Sequence, residues 1–239
     1  MAPGDICMKD GLTDLEKKIP SNVENEDFQN FEKLVNIETT QADAPLAMEI
    51  KKNIPIYSGQ LVRDRANSFE GKQELLTEWT SIFESGAGII AISNAIESTS
   101  VIDIATTNFE GIINSEKLNG NVSDHFAKPG ANDRVWNSLQ KHCMKDPQNF
   151  IDYYCSETIA LASEAWLGPN YQVTAQVNRV NPGGEAQKAH RDYHLGFMSA
   201  EQSANFPLHV HAMSPYLTLQ GAIAHCDMSI ESGPTLLLP

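Results

Sequence analysis

The residues of this sequence whose types and spacing could support chemistry are a histidine and an aspartate two positions apart, His190 and Asp192. They follow a run at 171–180 in which polar and apolar residues alternate. Side chains two positions apart on an extended backbone point to the same side, because side-chain direction alternates along a strand. An imidazole and a carboxylate beside open positions are the donors of a mononuclear non-haem Fe(II) site. The spacing therefore predicts that His190 and Asp192 are metal ligands.

The neighbouring residues Arg191 and His194 are expected to lie beside this site without binding the metal. On a flat strand His194 would stand about 13 Å from His190, at about 3.3 Å per residue. Ligands bind a metal at about 2.1 Å, so a strand brings both histidines to one ion only if it bends sharply. Two other interpretations stay open: a zinc hydrolase site formed by His190, Asp192 and His194, and an ordinary ion pair of His190 with Asp192 on a loop.

The run at 171–180 also carries polar side chains at every second position, which is the pattern of a strand with one polar face. Such a face beside a metal would suit a polar cosubstrate inside a barrel. Gln176 and Asn178 are predicted to bind that cosubstrate, and Thr218 and Gln220 are the corresponding residues of a later predicted strand. The other interpretation is that the polar face is solvated at the edge of a sheet.

Composition narrows the class of protein. The chain has 239 residues, 41% of them hydrophobic, which is enough to bury the core of one large domain. Its net charge of −14 repels phosphate backbones and anionic membrane surfaces, so we expect neither nucleic acid nor a membrane as partner. The N-terminus has no signal-peptide pattern, and no two of the four cysteines form a C-x-x-C pair. These features predict a reduced, cytoplasmic protein, and they leave its oligomeric state open.

The elements that would position His190 fall into a helical part and a later β-rich part. Residues 1–55 are polar and acidic, and they predict a loosely ordered leader with one short helix at 25–35. The following patterns predict helices at 72–83, 100–118, 132–143 and 147–166, a buried strand at 88–94, and strands at 171–180, 217–227 and 235–238. His142 is expected at the surface of the helical part, and Cys226 is expected in the core. The layout is that of an α+β fold with a mainly β catalytic core of the sandwich or jelly-roll type.

Two stretches carry a resemblance to a known family. The first reads Asn178-Arg-Val-Asn-Pro-Gly-Gly-Glu-Ala-Gln-Lys-Ala-His-Arg-Asp-Tyr-His-Leu-Gly-Phe197, and the second reads Leu219-Gln-Gly-Ala-Ile-Ala-His-Cys-Asp-Met-Ser-Ile-Glu-Ser-Gly-Pro-Thr-Leu-Leu-Leu-Pro239. Both closely resemble the phytanoyl-CoA dioxygenase family of Fe(II)/2-oxoglutarate oxygenases. Residues 123–126 and 132–136 fit the helical half of such proteins less specifically, and the resemblance covers about residues 70–239.

The resemblance implies a double-stranded β-helix, a cupin-like jelly roll with a helical half before it. It places an oxygenase-like domain at 56–239, with the helical part at 70–170 and an incomplete β-helix core at 171–239. It also implies an enzyme that uses Fe(II), 2-oxoglutarate and O2. Such an enzyme oxidises a small organic or acyl substrate, usually by hydroxylation, while 2-oxoglutarate is decarboxylated to succinate.

Residue by residue, His190 and Asp192 match the first two ligands of the family's triad of two histidines and one carboxylate. The third ligand, and the arginine that binds the far carboxylate of 2-oxoglutarate, lie in the family beyond the position of Pro239. We therefore expect the sequence to be truncated at its C-terminal end and inactive by itself. The alternatives are a catalytically inactive jelly-roll protein that binds or scaffolds and, with less support, the zinc metallohydrolase.

Overall fold

The computed structural model describes residues 25–120, 130–182, 187 and 189–239. Residues 1–24 of the predicted leader and the motif at 123–126 lie outside this part. The chain divides into a larger unit, Glu38–Lys188 with Gly221–Pro239, and a smaller unit, Met1–Ile37 with Ala189–Gln220. Helices and strands both occur, so the fold is a mixed α and β one.

The α-helices are α1 Asn25–Val35, α2 Gly59–Ala66, α3 Phe69–Ser85, α4 Thr99–Leu118, α5 Ser138–Lys145, α6 Pro147–Tyr154, α7 Glu157–Leu167, α8 Ala200–Ser203 and α9 Leu208–Met213. The strands are β1 Glu49–Lys51, β2 Ile54–Ser58, β3 Ala91–Ser93, β4 Asn132–Val135 and β5 Val177–Val180. Short 3₁₀ helices span His194–Phe197, Ser214–Leu217 and Ile230–Ser232. None of the helices in the described ranges is long and apolar enough to cross a membrane.

A three-stranded sheet in the order β1-β2-β3 forms one side of the larger unit's first core. Lys52 and Asn53, at φ 50° and 65°, form the two-residue turn between β1 and β2, a conformation that matches the twist of a hairpin. Strand β2 then pairs in parallel with β3, with Ile56 opposite Ala91. Helices α2 and α3 make the crossover that a parallel pair requires.

The first core lies where α3 packs against this sheet. Leu75, Trp79 and Ile82 are spaced by four and three residues, so they form one stripe on α3, and all three are buried. The Trp79 ring meets the ring of Tyr57 edge to face, with centroids 5.5 Å apart. Leu161 of α7 belongs to the same cluster. Each such side chain contributes about 1.5–3 kcal/mol of burial free energy, which makes the α3 stripe the main stabilising feature of this core.

A buried polar contact fixes the segment that precedes β1. The Glu78 carboxylate accepts a hydrogen bond from the Tyr57 hydroxyl at 2.6 Å and from the backbone N–H of Leu46 at 3.1 and 3.2 Å. Burial and the negative charge of Glu78 raise the pKa of Tyr57, so the phenol stays protonated and donates. Ala44 and Ala47, within the range of the predicted leader, are buried in the first core.

The second core lies between α4, β4 and α6. Ala105, Phe109 and Ile113 form the buried face of α4, and they pack with Val135 and Tyr153. Strand β4 pairs antiparallel with β5 in a separate two-stranded sheet.

An ion-pair cluster joins these two strands to the end of α4. The Asp133 carboxylate lies 2.6 Å from Nζ of Lys117 and 2.5 Å from Nη2 of Arg179, and it accepts a hydrogen bond from Asn181 at 3.1 Å. Burial by itself would raise the pKa of Asp133. The bonds from Lys117, Arg179 and Asn181 outweigh this effect and hold the pKa below its usual value.

The three helices and the buried strand predicted within residues 25–118 are confirmed. Helices α1, α3 and α4 cover the three helices predicted there, and β3 lies within the predicted buried strand. The prediction of a helix from 132 is wrong in its first half, because 132–135 form β4 and the helix begins only at Ser138. The predicted helix at 147–166 is two helices, α6 and α7. They separate at Ser156, whose extended backbone and hydrogen bond to the carbonyl of Ala95 at 3.1 Å interrupt the helical ladder.

The predicted β-rich core is not formed in the described part of the chain. Only Val177–Val180 of the predicted strand at 171–180 is a strand, and 217–227 and 235–238 form none. No closed barrel or jelly roll occurs among the described residues. Alternating polarity predicts extended backbone, but a strand also needs a neighbour whose N–H and C=O groups it can bond. Strand β5 finds that neighbour in β4, which had been predicted as helix.

Candidate metal-binding site

His190 and Asp192 lie in an irregular, bent segment of the smaller unit and not on a strand. Tyr193 and His194 both have positive φ, of 70° and 51°, which is uncommon for residues with a side chain, and the chain reverses immediately after Asp192. The N–H of Gly196 bonds to the carbonyl of Tyr193 at 3.1 Å. We call residues 190–197 the reversal loop. Its bend is the local feature that alternation alone did not predict.

Within the reversal loop, the structure brings the two predicted ligands together. Nε2 of His190 lies 3.4 Å from Oδ1 of Asp192, and the two side chains are 25% and 29% exposed. Two donors at this separation can both contact one ion at the usual bond length of about 2.1 Å. An imidazole nitrogen and a carboxylate oxygen are also the donor types that Fe(II) accepts. The pair therefore fits two positions of a divalent-metal site, and both donors are accessible to solvent.

The reversal loop is anchored through its buried residue Leu195. The hydroxyl of Ser214, itself buried, accepts hydrogen bonds from the N–H of Leu195 and from Nη2 of Arg191, each at 3.5 Å. Arg191 thus contacts Ser214 beside the two predicted ligands. The predicted place of Arg191 next to the site, without a bond to the metal, is compatible with this arrangement.

His194 packs with its ring edge against Phe206, with centroids 6.3 Å apart. Its Nδ1 is buried without a hydrogen-bond partner in the described part of the chain. The described residues contain no group of three His, Cys, Asp or Glu side chains that could hold a metal. The zinc site of His190, Asp192 and His194 is therefore not formed there. Nε2 of His211 lies 3.0 Å from the carbonyl of Ser203, a structural contact.

The four residues predicted to bind a cosubstrate fall into both units. Thr218 and Gln220 belong to the smaller unit, where Thr218 is half-buried and Gln220 is exposed. Gln176 and Asn178 belong to the larger unit and are exposed, while the alternate positions of this segment, such as Val177, are half-buried. The alternation in exposure agrees with a strand that has one solvated face, and the cosubstrate role of these residues stays a prediction.

A polar cluster that the sequence did not predict lies inside the larger unit, centred on His225. Nδ1 of His225 lies 2.8 Å from Oγ1 of Thr106, and Nε2 lies 2.7 Å from the hydroxyl of Tyr153. The Thr106 hydroxyl donates its own proton to the carbonyl of Ile102, so it accepts from Nδ1. Tyr153 therefore donates to Nε2, and His225 is neutral. Burial, and then the proximity of His142, lower the pKa of His225.

His142 belongs to the same cluster, so its predicted surface position is wrong. It is fully buried, and its Nε2 donates to Oδ1 of Asn149 at 2.8 Å. The Asn149 amide in turn donates to the carbonyl of Val101 at 3.0 Å, which identifies Oδ1 as the acceptor. Cys226 is exposed, which corrects its predicted core position. No local sequence pattern predicts these contacts, because His225 and its partners are far apart in sequence.

A comparison with protein-family models adds the decisive observation. The model of the phytanoyl-CoA dioxygenase family matches residues 75–239. The chain belongs to the phytanoyl-CoA dioxygenase family. Searches of curated proteins and of solved structures each found no match.

Members of the phytanoyl-CoA dioxygenase family are generally Fe(II)- and 2-oxoglutarate-dependent oxygenases. The matched range contains both the reversal loop and the His225 cluster. The expectation that the chain is a member of this family is confirmed.

Proposed function

We propose that this protein is a non-haem Fe(II)/2-oxoglutarate-dependent dioxygenase that oxidises a small organic or acyl substrate. The observation that carries the proposal is the 3.4 Å separation of Nε2 of His190 and Oδ1 of Asp192, inside the range matched by the family model. In this proposal the two residues supply one imidazole and one carboxylate of the iron site. Bound Fe(II) with 2-oxoglutarate would supply the activation of O2 that oxidation of a C–H bond needs.

The chain's own residues have defined tasks in this proposal. His190 would offer the lone pair of Nε2, and the Asp192 carboxylate would supply negative charge that offsets part of the dication's charge. Their partial exposure gives an ion and a small cosubstrate access from solvent. Thr218 and Gln220, which belong to the same unit as the metal pair, are proposed as hydrogen-bond donors to a 2-oxoglutarate carboxylate.

The remaining parts of the proposal rest on composition. A net charge of −14 disfavours nucleic acid and anionic membranes as partners, so the proposed partner is a small molecule. We also propose a cytoplasmic location for the protein.

Anaerobic calorimetric titration with Mn(II), used as a redox-stable substitute for Fe(II), tests the metal assignment. We expect His190→Ala and Asp192→Asn each to weaken binding by about tenfold or more, since the first removes one bonded donor and the second removes the negative charge of the other. His209→Ala is the matched control, because His209 is an exposed histidine of the same unit. Equal affinity in the wild type and in His190→Ala would place the metal elsewhere.

The reaction itself is tested with the protein expressed from its complete reading frame. Incubation with Fe(II), 2-oxoglutarate and O2 should yield succinate, and His190→Ala should abolish that yield. If the wild type binds no Mn(II) and forms no succinate, the non-catalytic binding protein becomes the better explanation.

A further inference from the structure

The two ends of the reversal loop meet through a pair of rings. The imidazole of His190 stacks on the phenyl ring of Phe197, with centroids 4.6 Å apart and planes inclined by 28°. Phe197 is the last residue of the loop, and its side chain is half-exposed, so it is not a member of either hydrophobic core. This contact constrains the plane of the imidazole that the proposed function requires as a ligand.

Gly196 is the residue that lets the chain return closely enough for this stack. A Cβ atom at position 196 would lie 1.9 Å from the carbonyl oxygen of Arg191, well inside van der Waals contact. A side chain at this position would force the two arms of the reversal loop apart. The absence of a side chain at Gly196 therefore brings Phe197 back over His190.

Two contacts constrain the orientation of the imidazole. The stack with Phe197 restricts the tilt of the ring, and Nε2 lies 3.4 Å from Oδ1 of Asp192. We propose that Phe197 is the positioning residue of the metal pair, and that it holds the His190 ring in the ligating orientation before any ion binds. This inference rests on the proposed function, because it assigns Phe197 a task at the same site.

The size of the effect follows from what the ring supplies. The stack restrains the His190 side chain before the metal binds, so less rotational freedom is lost on binding. Preorganisation of this kind raises the affinity for the metal. Loss of one aromatic pair corresponds to about a three- to tenfold change in an equilibrium constant. Because Phe197 is 51% exposed, its replacement should leave the fold intact.

The experiment uses the protein expressed from its complete reading frame, with Phe197→Leu and Phe197→Met as variants that lack the ring and Phe197→Tyr as the variant that keeps it. Phe31→Leu is the matched control. Phe31 of α1 is 49% exposed, close to the exposure of Phe197, and the substitution removes the same ring. The first readout is the NMR spectrum of histidine ring protons in the metal-free protein. The second is the Kd for Mn(II).

We expect the ring protons of His190 to be shifted upfield by the Phe197 ring in the wild type and in Phe197→Tyr, and to move downfield in the Leu and Met variants. The Kd for Mn(II) should rise about three- to tenfold in those two variants and stay within about twofold in Phe197→Tyr and Phe31→Leu. Unchanged shifts and unchanged Kd in both ringless variants would overturn the proposal.

The metal-free spectra separate this inference from the proposed function. If the wild type binds no Mn(II) but its His190 protons still respond to loss of the ring, the stack stands and the metal assignment fails, which overturns the positioning role as well. If Mn(II) binds and His190→Ala abolishes binding, yet both ringless variants bind as tightly as the wild type, the proposed function stands and Phe197 has no positioning role.

Discussion

Nε2 of His225 accepts a hydrogen bond from the phenol of Tyr153 across 2.7 Å, and the donor and acceptor roles are fixed by Thr106 on the other side of the ring. Protonation of Nε2 would remove its acceptor lone pair. The charged groups nearest in sequence on the two helices, Asp103 of α4 and Asp152 of α6, are exposed. In the described part of the chain, the rings that face His225 are those of Phe109 and Tyr153, with centroids 5.8 and 5.6 Å away, and neither offers a carboxylate to an imidazolium. The charged group that acts on His225 is His142, which opposes its protonation.

This arrangement predicts a loss of stability in mild acid. The pKa of folded His225 lies below its usual value of about 6.5, so the unfolded chain takes up the proton first as the pH falls. The contribution of His225 is therefore complete above about pH 6.5, decreases as the pH falls below it, and levels off below the folded pKa.

His225→Gln should reduce the free energy of unfolding by about 1–2 kcal/mol at pH 8 and flatten its dependence on pH between 8 and 5. Urea melts over this range measure both effects. His209→Gln, at an exposed site, should change neither. A variant His225→Gln with the pH dependence of the wild type would contradict the neutral, buried state of this histidine.

Replacement of Asp133 tests the cluster that joins β4, β5 and α4. Asp133→Asn should cost about 1–3 kcal/mol, because the charge-assisted bonds from Lys117 and Arg179 weaken while these half-exposed cations regain water. The folded pKa of Asp133 is depressed, so its contribution is complete above about pH 4 and is lost as the pH falls through the folded pKa. Glu49→Gln breaks the exposed pair with Lys51 and should change stability by less than about 0.5 kcal/mol in the same urea melts.

The contact of Tyr57 with Glu78 predicts coupling between two distant parts of the larger unit. Tyr57→Phe should cost about 1–2 kcal/mol, since it removes the hydroxyl that donates to Glu78. Glu78→Gln should cost about the same, since it replaces charge-assisted hydrogen bonds by weaker neutral ones. The double variant should cost less than the sum of the single ones. A double-mutant cycle from thermal melts measures this difference, and strict additivity would mean that the bond contributes nothing.

Gly196→Ala tests the reversal loop by geometry alone. The new Cβ would meet the carbonyl oxygen of Arg191, so we expect the loop to open and the affinity for Mn(II) to fall about tenfold or more. Gly221→Ala is the control, because a Cβ at Gly221 has nothing within 4 Å and the backbone there needs no positive φ. Equal Mn(II) affinity in the wild type and in Gly196→Ala would show that the ligands do not depend on the turn.

The sequence predicted best where one element carries its own signal. The spacing of Leu75, Trp79 and Ile82 predicted α3, and in the structure these three residues form the buried face of that helix. The residues at 132–135 were misjudged because Asn and Asp are frequent helix caps. Here Asp133 instead binds Lys117 and Arg179, and the pairing of β4 with β5 joins residues more than forty positions apart, which local periodicity does not encode.

The same distinction holds for the site. The spacing of His190 and Asp192 predicted a shared location for two donors, and the structure brings them together. It does so by a reversal at Tyr193 and His194, whereas the sequence suggested a strand. The stack with Phe197 and the partners of His225 depend on backbone reversal and tertiary packing, so spacing rules could not identify them.

The parallel pairing of β2 with β3 has a consequence for the order of folding. Strand β3 reaches its place only after the chain has passed through α2 and α3, and Gly59 must then approach the carbonyl oxygen of Asn94 so closely that a Cβ would lie 2.1 Å from it. Closing such a loop costs chain entropy before its contacts are gained, so the helices should form early and the sheet late. Substitutions in the buried stripe of α3 should then slow folding, whereas substitutions at the β2–β3 junction should mainly accelerate unfolding.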